Sequence, residues 1–166
     1  SRYDAWKNWV QFSTDPEWKT VLDRPQFQRL LIKSPESLFL NEVSFAKIMK
    51  PRQEKLERVF ELRTYQAIDG KLEQFAAKFS KQSELSLKSE SMACLGSWTA
   101  FDSPESSNAF LALLYYQDWE EASKNREQRS RDPAWQEMES ISGEAKLLRE
   151  KPESLLLRPT DFSKLK

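Results

Sequence analysis

The chain repeats part of itself. Aligned with itself at an offset of 117 positions and without a gap, residues 1–48 match residues 118–165 with 17 identities in 48 positions. Unrelated segments of this length would share roughly three identities at typical residue frequencies. The matched pairs include Asp15 with Asp132, Pro16 with Pro133, Trp18 with Trp135 and Leu40 with Leu157. The alignment predicts two copies of one structural unit.

The first copy is predicted to be incomplete. Residues 58–166 hold a whole unit, residues 1–48 hold only its C-terminal half, and the charged stretch 49–57 reads as a linker. Half of a small domain cannot bury its apolar faces alone. We therefore expect residues 1–48 to be covered by missing upstream chain, by the second copy or by another protein chain.

The pattern of the whole unit predicts an α+β fold. Strand-like alternation, helical spacing of apolar residues and turn signals predict strands at 58–66, 92–101, 108–116 and 153–158, with helices at 71–88 and 118–131. A turn is predicted at 102–104, and Asp132-Pro133 is predicted to restart the second helix. The order β-α-β-β-α-β is the ferredoxin-like arrangement, with one sheet face on the helices and one open.

Composition narrows the function classes. Lys plus Arg and Asp plus Glu both number 26, which argues against a dominant role on nucleic acids or anionic membranes. The chain has no histidine, so it has no histidine general base, histidine-ligated haem or typical transition-metal site. We predict no catalytic residues, no metal and no cofactor. The one cysteine, Cys94, is predicted to be a small core residue.

Two short runs carry a family resemblance. Phe-Glu-Leu-Arg-Thr-Tyr at residues 60–65, followed by Asp-Gly-Lys-Leu-Glu-Gln-Phe at 69–75, resembles the opening of the NIPSNAP domain. Weaker likenesses stand at residues 116–119 and 153–159. The resemblance implies a dimeric α+β barrel, in which two ferredoxin-like sheets face each other as a homodimer or an intrachain pseudo-dimer. It also implies a mitochondrial location, with another organelle or a bacterial cytosol left open, and roles in protein interaction without established enzymatic activity.

The candidate site lies on the first strand. Alternation puts Glu61, Arg63 and Tyr65 on one face, which we expect to point into the barrel, while Phe60 and Leu62 face the helices. Trp98 and Tyr115 are the candidate aromatic wall of that interior. The five candidates either line a small-molecule pocket, or the charged pair is a structural ion pair that fixes the register of facing sheets.

Two classes of function follow. The first is a non-catalytic interaction or scaffold protein, a subunit or adaptor in an organellar assembly. The alternative is a cofactor-free, monooxygenase-like enzyme or a carrier of a small hydrophobic ligand, either of which would use the barrel interior. The charged helix at 118–131 is interpreted as a solvated face, with a docking surface as the second reading.

Overall fold

The computed structural model describes residues 2–25, 38–43, 58–88, 93–100, 108–144 and 146–160. It divides the chain into two units, residues 1–39 and residues 40–166. The predicted linker at 49–57 and the predicted turn at 102–104 lie outside the described residues.

The helices and strands have the following bounds. The first unit holds α1 (Arg2–Thr14) and α2 (Pro16–Leu22). The second holds β1 (Leu40–Glu42), β2 (Val59–Gln66), α3 (Leu72–Lys88), β3 (Ala93–Ala100), β4 (Ala109–Tyr116), α4 (Trp119–Arg131), α5 (Pro133–Met138) and β5 (Glu153–Leu157). The strands form one antiparallel sheet in the order β1-β3-β4-β2-β5.

The predicted ferredoxin-like fold is confirmed. From β2 to β5 the order is β-α-β-β-α-β, with the second helix divided into α4 and α5 where Asp132-Pro133 was predicted to restart it. Asp118 caps α4, because its Oδ1 accepts a hydrogen bond from the Glu121 N–H at 2.8 Å. Asp132 caps α5 in the same way, accepting from the Ala134 N–H at 2.8 Å.

β1 adds an edge strand that was not predicted. Leu40 pairs with Ala100 and Glu42 with Trp98, and the N–H of Val43 donates to Ser97 O at 3.0 Å. Val43 is buried in the main core. The whole domain was predicted to begin at residue 58, whereas the sheet of the second unit includes this short strand from further upstream.

The core lies between the sheet and the helices. Its centre is a group of packed aromatic rings: Tyr65, Phe75, Phe79, Phe110 and Trp135. The Tyr65 and Phe75 ring centroids are 4.8 Å apart, and Trp135 meets Phe79 edge-on at 5.8 Å. Trp135 is part of the buried core, and its contact with Phe79 packs α5 onto α3.

The first unit has the same helix pair as α4 and α5. α1 and α4 have 13 residues each, and their bounds differ by 117 positions, which is the offset of the sequence repeat. Asp15 Oδ1 accepts from the Trp18 N–H at 3.0 Å, so the break between α1 and α2 is built like the break between α4 and α5.

Candidate functional site

The charged residues of β2 lie on the side of the sheet that the helices cover. The Tyr65 ring packs on Phe75 and Phe79 of α3, and Glu61 is fully buried beneath α4. The prediction that Glu61, Arg63 and Tyr65 point into a barrel interior was therefore wrong. Phe60 and Leu62, which were predicted to face the helices, lie on the opposite face, because successive residues of a strand alternate.

Glu61 is held by three different elements. The Tyr116 hydroxyl at the end of β4 donates to Oε2 at 2.6 Å, and the Ser154 hydroxyl of β5 donates to Oε1 at 2.5 Å. Arg129 of α4 places Nη2 at 3.3 Å from both carboxylate oxygens. Arg63 Nη1 stands 3.6 Å from Oε1. A carboxylate with this many donors can remain ionised without contact with water.

Arg63 bridges to the end of α5. Its Nη2 donates to Glu139 Oε1 at 2.9 Å, and the Tyr65 hydroxyl lies 3.4 Å from the same oxygen. We call Glu61, Arg63, Arg129 and Glu139, with the hydroxyls of Tyr65, Tyr116 and Ser154, the buried charge cluster. Its two carboxylates and two guanidinium groups balance in formal charge.

The electrostatics of the cluster do not suit acid–base catalysis. Burial raises the pKa of Glu61, but Arg129, Ser154, Tyr116 and Arg63 together hold the pKa of this carboxyl below its usual value. Burial raises the pKa of both Tyr65 and Tyr116 well above that of an ordinary tyrosine. At neutral pH the carboxylate is therefore ionised and both hydroxyls are protonated. A general acid or base would need a pKa close to the working pH.

The two aromatic candidates lie on the face of the sheet away from the helices, where Phe60 and Leu111 are buried and Trp98 and Tyr115 are half-buried. The Tyr115 ring is 5.8 Å from the Phe60 ring, and the Arg58 guanidinium stands 5.7 Å from the Tyr115 centroid. The Trp98 indole lies over Gly96, where an added Cβ would stand 2.6 Å from the ring. The structure thus separates Trp98 and Tyr115 from the three candidates on β2. Their role as lining of a ligand pocket stays a prediction.

Several members of the cluster were missed from sequence. They are Tyr116, Arg129, Glu139 and Ser154. Arg129 was assigned to a solvated helix face, and this was wrong for that residue, which is only 7% exposed. A signal was present: Ala122, Asn125 and Arg129 follow one another at spacings of three and four and form the buried stripe of α4.

Among the residues that the structure describes, no group of three or more Cys, Asp or Glu side chains could hold a metal ion. None of the described helices is both long enough and apolar enough to cross a membrane. Cys94 is buried, and burial raises the pKa of its thiol to about 11, which opposes a role as nucleophile.

Fold and site together define a ferredoxin-like α+β domain whose helices are joined to the sheet through a buried charge cluster. The family model for NIPSNAP matches residues 60–164, so the chain belongs to the NIPSNAP family.

Solved structures of NIPSNAP proteins are similar to this chain. An uncharacterized NIPSNAP domain protein from Burkholderia xenovorans is 28% identical, with 63% of this chain and 97% of that chain covered and a TM-score of 0.48. A NIPSNAP family protein from Agrobacterium tumefaciens is 19% identical, with coverage of 70% and 98% and a TM-score of 0.52. A comparison with curated proteins finds no match.

Proposed function

We propose that the chain is a non-catalytic interaction or scaffold protein of the NIPSNAP type, a subunit or adaptor in an organellar assembly. The mitochondrion is the compartment that the family resemblance implies. The proposal is carried by one observation, the aromatic surface of α1.

α1 carries large aromatic side chains in contact with solvent. Tyr3 is 67% exposed, Trp6 55%, Trp9 49% and Phe12 43%. Aromatic side chains have roughly 150–250 Å² each, so Tyr3, Trp6 and Trp9 together present on the order of 300 Å² of apolar surface, while Phe12 packs on Trp18. That is close to the largest patch on a typical monomer, and patches of this kind commonly mark interaction sites.

The helix α4 shows that the fold itself does not require these side chains. At the offset of 117 positions, Trp6 corresponds to Ser123 and Trp9 to Arg126, and both of the latter are exposed. A helix of this kind therefore forms with polar residues at those positions. Trp and Tyr are the residues most enriched at protein interaction hot spots, so their presence on α1 favours docking of another polypeptide.

The site geometry supports a non-catalytic role. The formal charges of the buried charge cluster balance, and the pKa values of Glu61, Tyr65 and Tyr116 are shifted away from those that proton transfer at neutral pH requires. On the sheet face away from the helices, the half-buried Trp98 and Tyr115 suit pairing with a second sheet in a homodimer or an intrachain pseudo-dimer.

A second candidate function is a ligand carrier or a cofactor-free monooxygenase-like enzyme, and it rests on Trp98 and Tyr115 alone. Both rings lie on the sheet face away from the helices, where a ligand held between two facing sheets would touch them. This function is the weaker candidate, because Glu61 and Arg63 lie on the face that the helices cover.

The test is the size of the native assembly in the cells of its source. Trp6→Ser combined with Trp9→Arg gives α1 the residues that α4 carries, so the helix is kept and the aromatic surface is lost. We expect wild type to purify in a larger assembly and the variant to be released as a single chain. Arg126→Ser on α4 is the control and should remain assembled. Wild type that purifies alone and monomeric from its source would contradict the proposal.

A further inference from the structure

Phe12 on α1 and Arg129 on α4 occupy the same place in their helix pairs. The two positions differ by 117, as do Trp18 and Trp135. The Arg129 guanidinium lies over the Trp135 ring at 5.6 Å from its centroid, and the Phe12 ring lies 4.6 Å from that of Trp18. Phe12 on α1 therefore contacts Trp18 on α2, just as Arg129 on α4 contacts Trp135 on α5.

The second unit shows what this position meets when a sheet covers the helices. Arg129 reaches Glu61 on β2, and Glu139, just after α5, reaches Arg63 on the same strand. These two contacts are the ion pairs by which the helix pair meets β2.

The first unit lacks both of these charges. At the offset of 117 positions, Arg129 corresponds to Phe12 and Glu139 corresponds to Leu22, the last residue of α2. Arg129 and Glu139 each pair with a charged residue of β2, Arg129 with Glu61 and Glu139 with Arg63. The first unit has an apolar residue at both of these positions.

We propose that α1 and α2 dock on a sheet that carries apolar residues where this chain has Glu61 and Arg63. This inference rests on the proposed function and adds a partner for the Phe12 and Leu22 side of the helix pair, away from Trp6 and Trp9: the front half of a NIPSNAP-type domain whose first strand is apolar at those two positions. The front half of a second copy of this chain, residues 58–117, is excluded.

The exclusion follows from the cost of burying charge. If α1 and α2 covered the sheet of a second copy, Glu61 would lose Arg129 and Arg63 would lose Glu139, and as charged partners the two would keep only each other, at 3.6 Å, beneath Phe12 and Leu22. A buried ion pair that lacks the other groups that satisfy it does not repay its desolvation, so this arrangement is destabilising. An apolar pair in the same place is well tolerated. Copies of this chain would therefore not exchange their halves, and the helix pair selects a different sheet.

The first experiment needs no partner, because it tests within the whole chain whether apolar helix residues are compatible with Glu61 and Arg63 on β2. Arg129→Phe with Glu139→Leu gives the second unit the helix-side residues of the first. We expect the equilibrium constant for unfolding in urea to rise on the order of 100-fold. Adding Glu61→Leu and Arg63→Leu should recover at least tenfold. Arg126→Phe, on the exposed side of α4, is the control and should change little.

Two outcomes would overturn the inference. A helix-side variant as stable as wild type would show that the Glu61 sheet accepts Phe and Leu. A fourfold variant less stable than the helix-side variant would show that apolar residues on β2 are not the matching surface.

The second experiment identifies the sheet directly, by placing a photo-activatable benzoyl-phenylalanine at position 12 of the full chain in its source cells. The cross-linked peptide should be a NIPSNAP-type first strand with apolar residues at the Glu61 and Arg63 positions. Cross-links to residues 58–117 of this chain would overturn the inference and leave the proposed function standing. A cross-link to no protein would also overturn the inference, and the assembly of the Trp6→Ser, Trp9→Arg variant then decides the proposed function separately.

Discussion

Arg129 on α4 and Glu61 on β2 are joined inside the domain, with Nη2 of the arginine 3.3 Å from each carboxylate oxygen. Both side chains are almost fully removed from solvent. Two buried charges of opposite sign stabilise a fold only while both are present, since either one alone keeps its desolvation cost and loses its partner. The contact therefore fixes where α4 sits on the sheet.

Replacing Arg129 should be among the most damaging changes to a charged residue of this domain. For Arg129→Met we expect the free energy of unfolding to fall by about 3–5 kcal/mol, because Glu61 stays buried without its main cation. Urea denaturation followed by circular dichroism measures this loss. Arg126→Met, on the exposed side of the same helix, should change the value by about 0.5 kcal/mol or less. Equal losses for the two variants would show that the contact does not stabilise the fold.

The ionised Glu61 carboxylate should make the stability of the fold depend on pH. The pKa of Glu61 is lower in the folded protein than in the unfolded chain, so its ionisation contributes stability above the unfolded value of about 4.3. That contribution is lost as the pH falls through the lower, folded-state pKa.

The variant Glu61→Gln has a side chain that cannot ionise, so it should lose the part of the pH dependence of stability that comes from Glu61. Wild type should be more stable than Glu61→Gln at pH 7, and the gap between their urea midpoints should narrow as the pH is lowered from 5 to 3. The midpoint of each protein across this range is the measurement. A gap that stays constant would contradict ionisation of Glu61 as the source of the difference.

The elements of the second unit could be predicted because their ends carry local signals. Asp118 and Asp132-Pro133 begin helices by hydrogen bonds within a few residues, and Gly70 permits the left-handed φ of 74° between β2 and α3. Signals of this kind act over short sequence distances, so they are visible without the fold.

The face of β2 could not be predicted in the same way. Alternation correctly groups Glu61 with Arg63 and separates them from Phe60, but it does not say which group the helices cover. The charged residues Glu61 and Arg63 were predicted to lie on the face away from the helices. The choice depends on Arg129 and Glu139, which stand 68 and 76 residues further along the chain from their partners.

β1 was missed for a related reason. Its three residues are assigned by pairing with β3, about 60 residues away, and the repeat placed them in a different copy. Burial of Val43 with the main core shows that this strand stabilises the domain.

Proline substitutions at Glu42 and Val43, at the end of β1, should distinguish an N–H that bonds to β3 from one that points away from it. Val43→Pro removes the N–H that donates to Ser97 O, so we expect a loss of about 2–3 kcal/mol in the free energy of unfolding. Glu42→Pro should cost clearly less, because alternate residues of an antiparallel edge strand direct their N–H groups away from the neighbour. Urea denaturation of the two variants measures the difference. Equal stability would mean that β1 is not held by this hydrogen bond.

The buried thiol of Cys94 can be used to measure how often the core opens to solvent. Its thiol is buried, donates to Gly96 O at 3.4 Å, and has a pKa raised by burial to about 11. An ordinary cysteine has a pKa near 8.5, so at pH 8 the folded protein holds far less thiolate. We expect a disulfide reagent to label native Cys94 at least ~100-fold more slowly than the urea-unfolded chain.

The slow labelling should follow the stability of the fold, because the reagent reaches the thiol only when the domain opens. Arg129→Met should therefore accelerate it, while Arg126→Met should leave the rate unchanged. Ser123→Cys in a Cys94→Ala background places a thiol on the exposed side of α4 and should react at once in the native state. If native Cys94 reacted as fast as that exposed thiol, β3 would be open to solvent at this point and the packing of the core against it would be disproved.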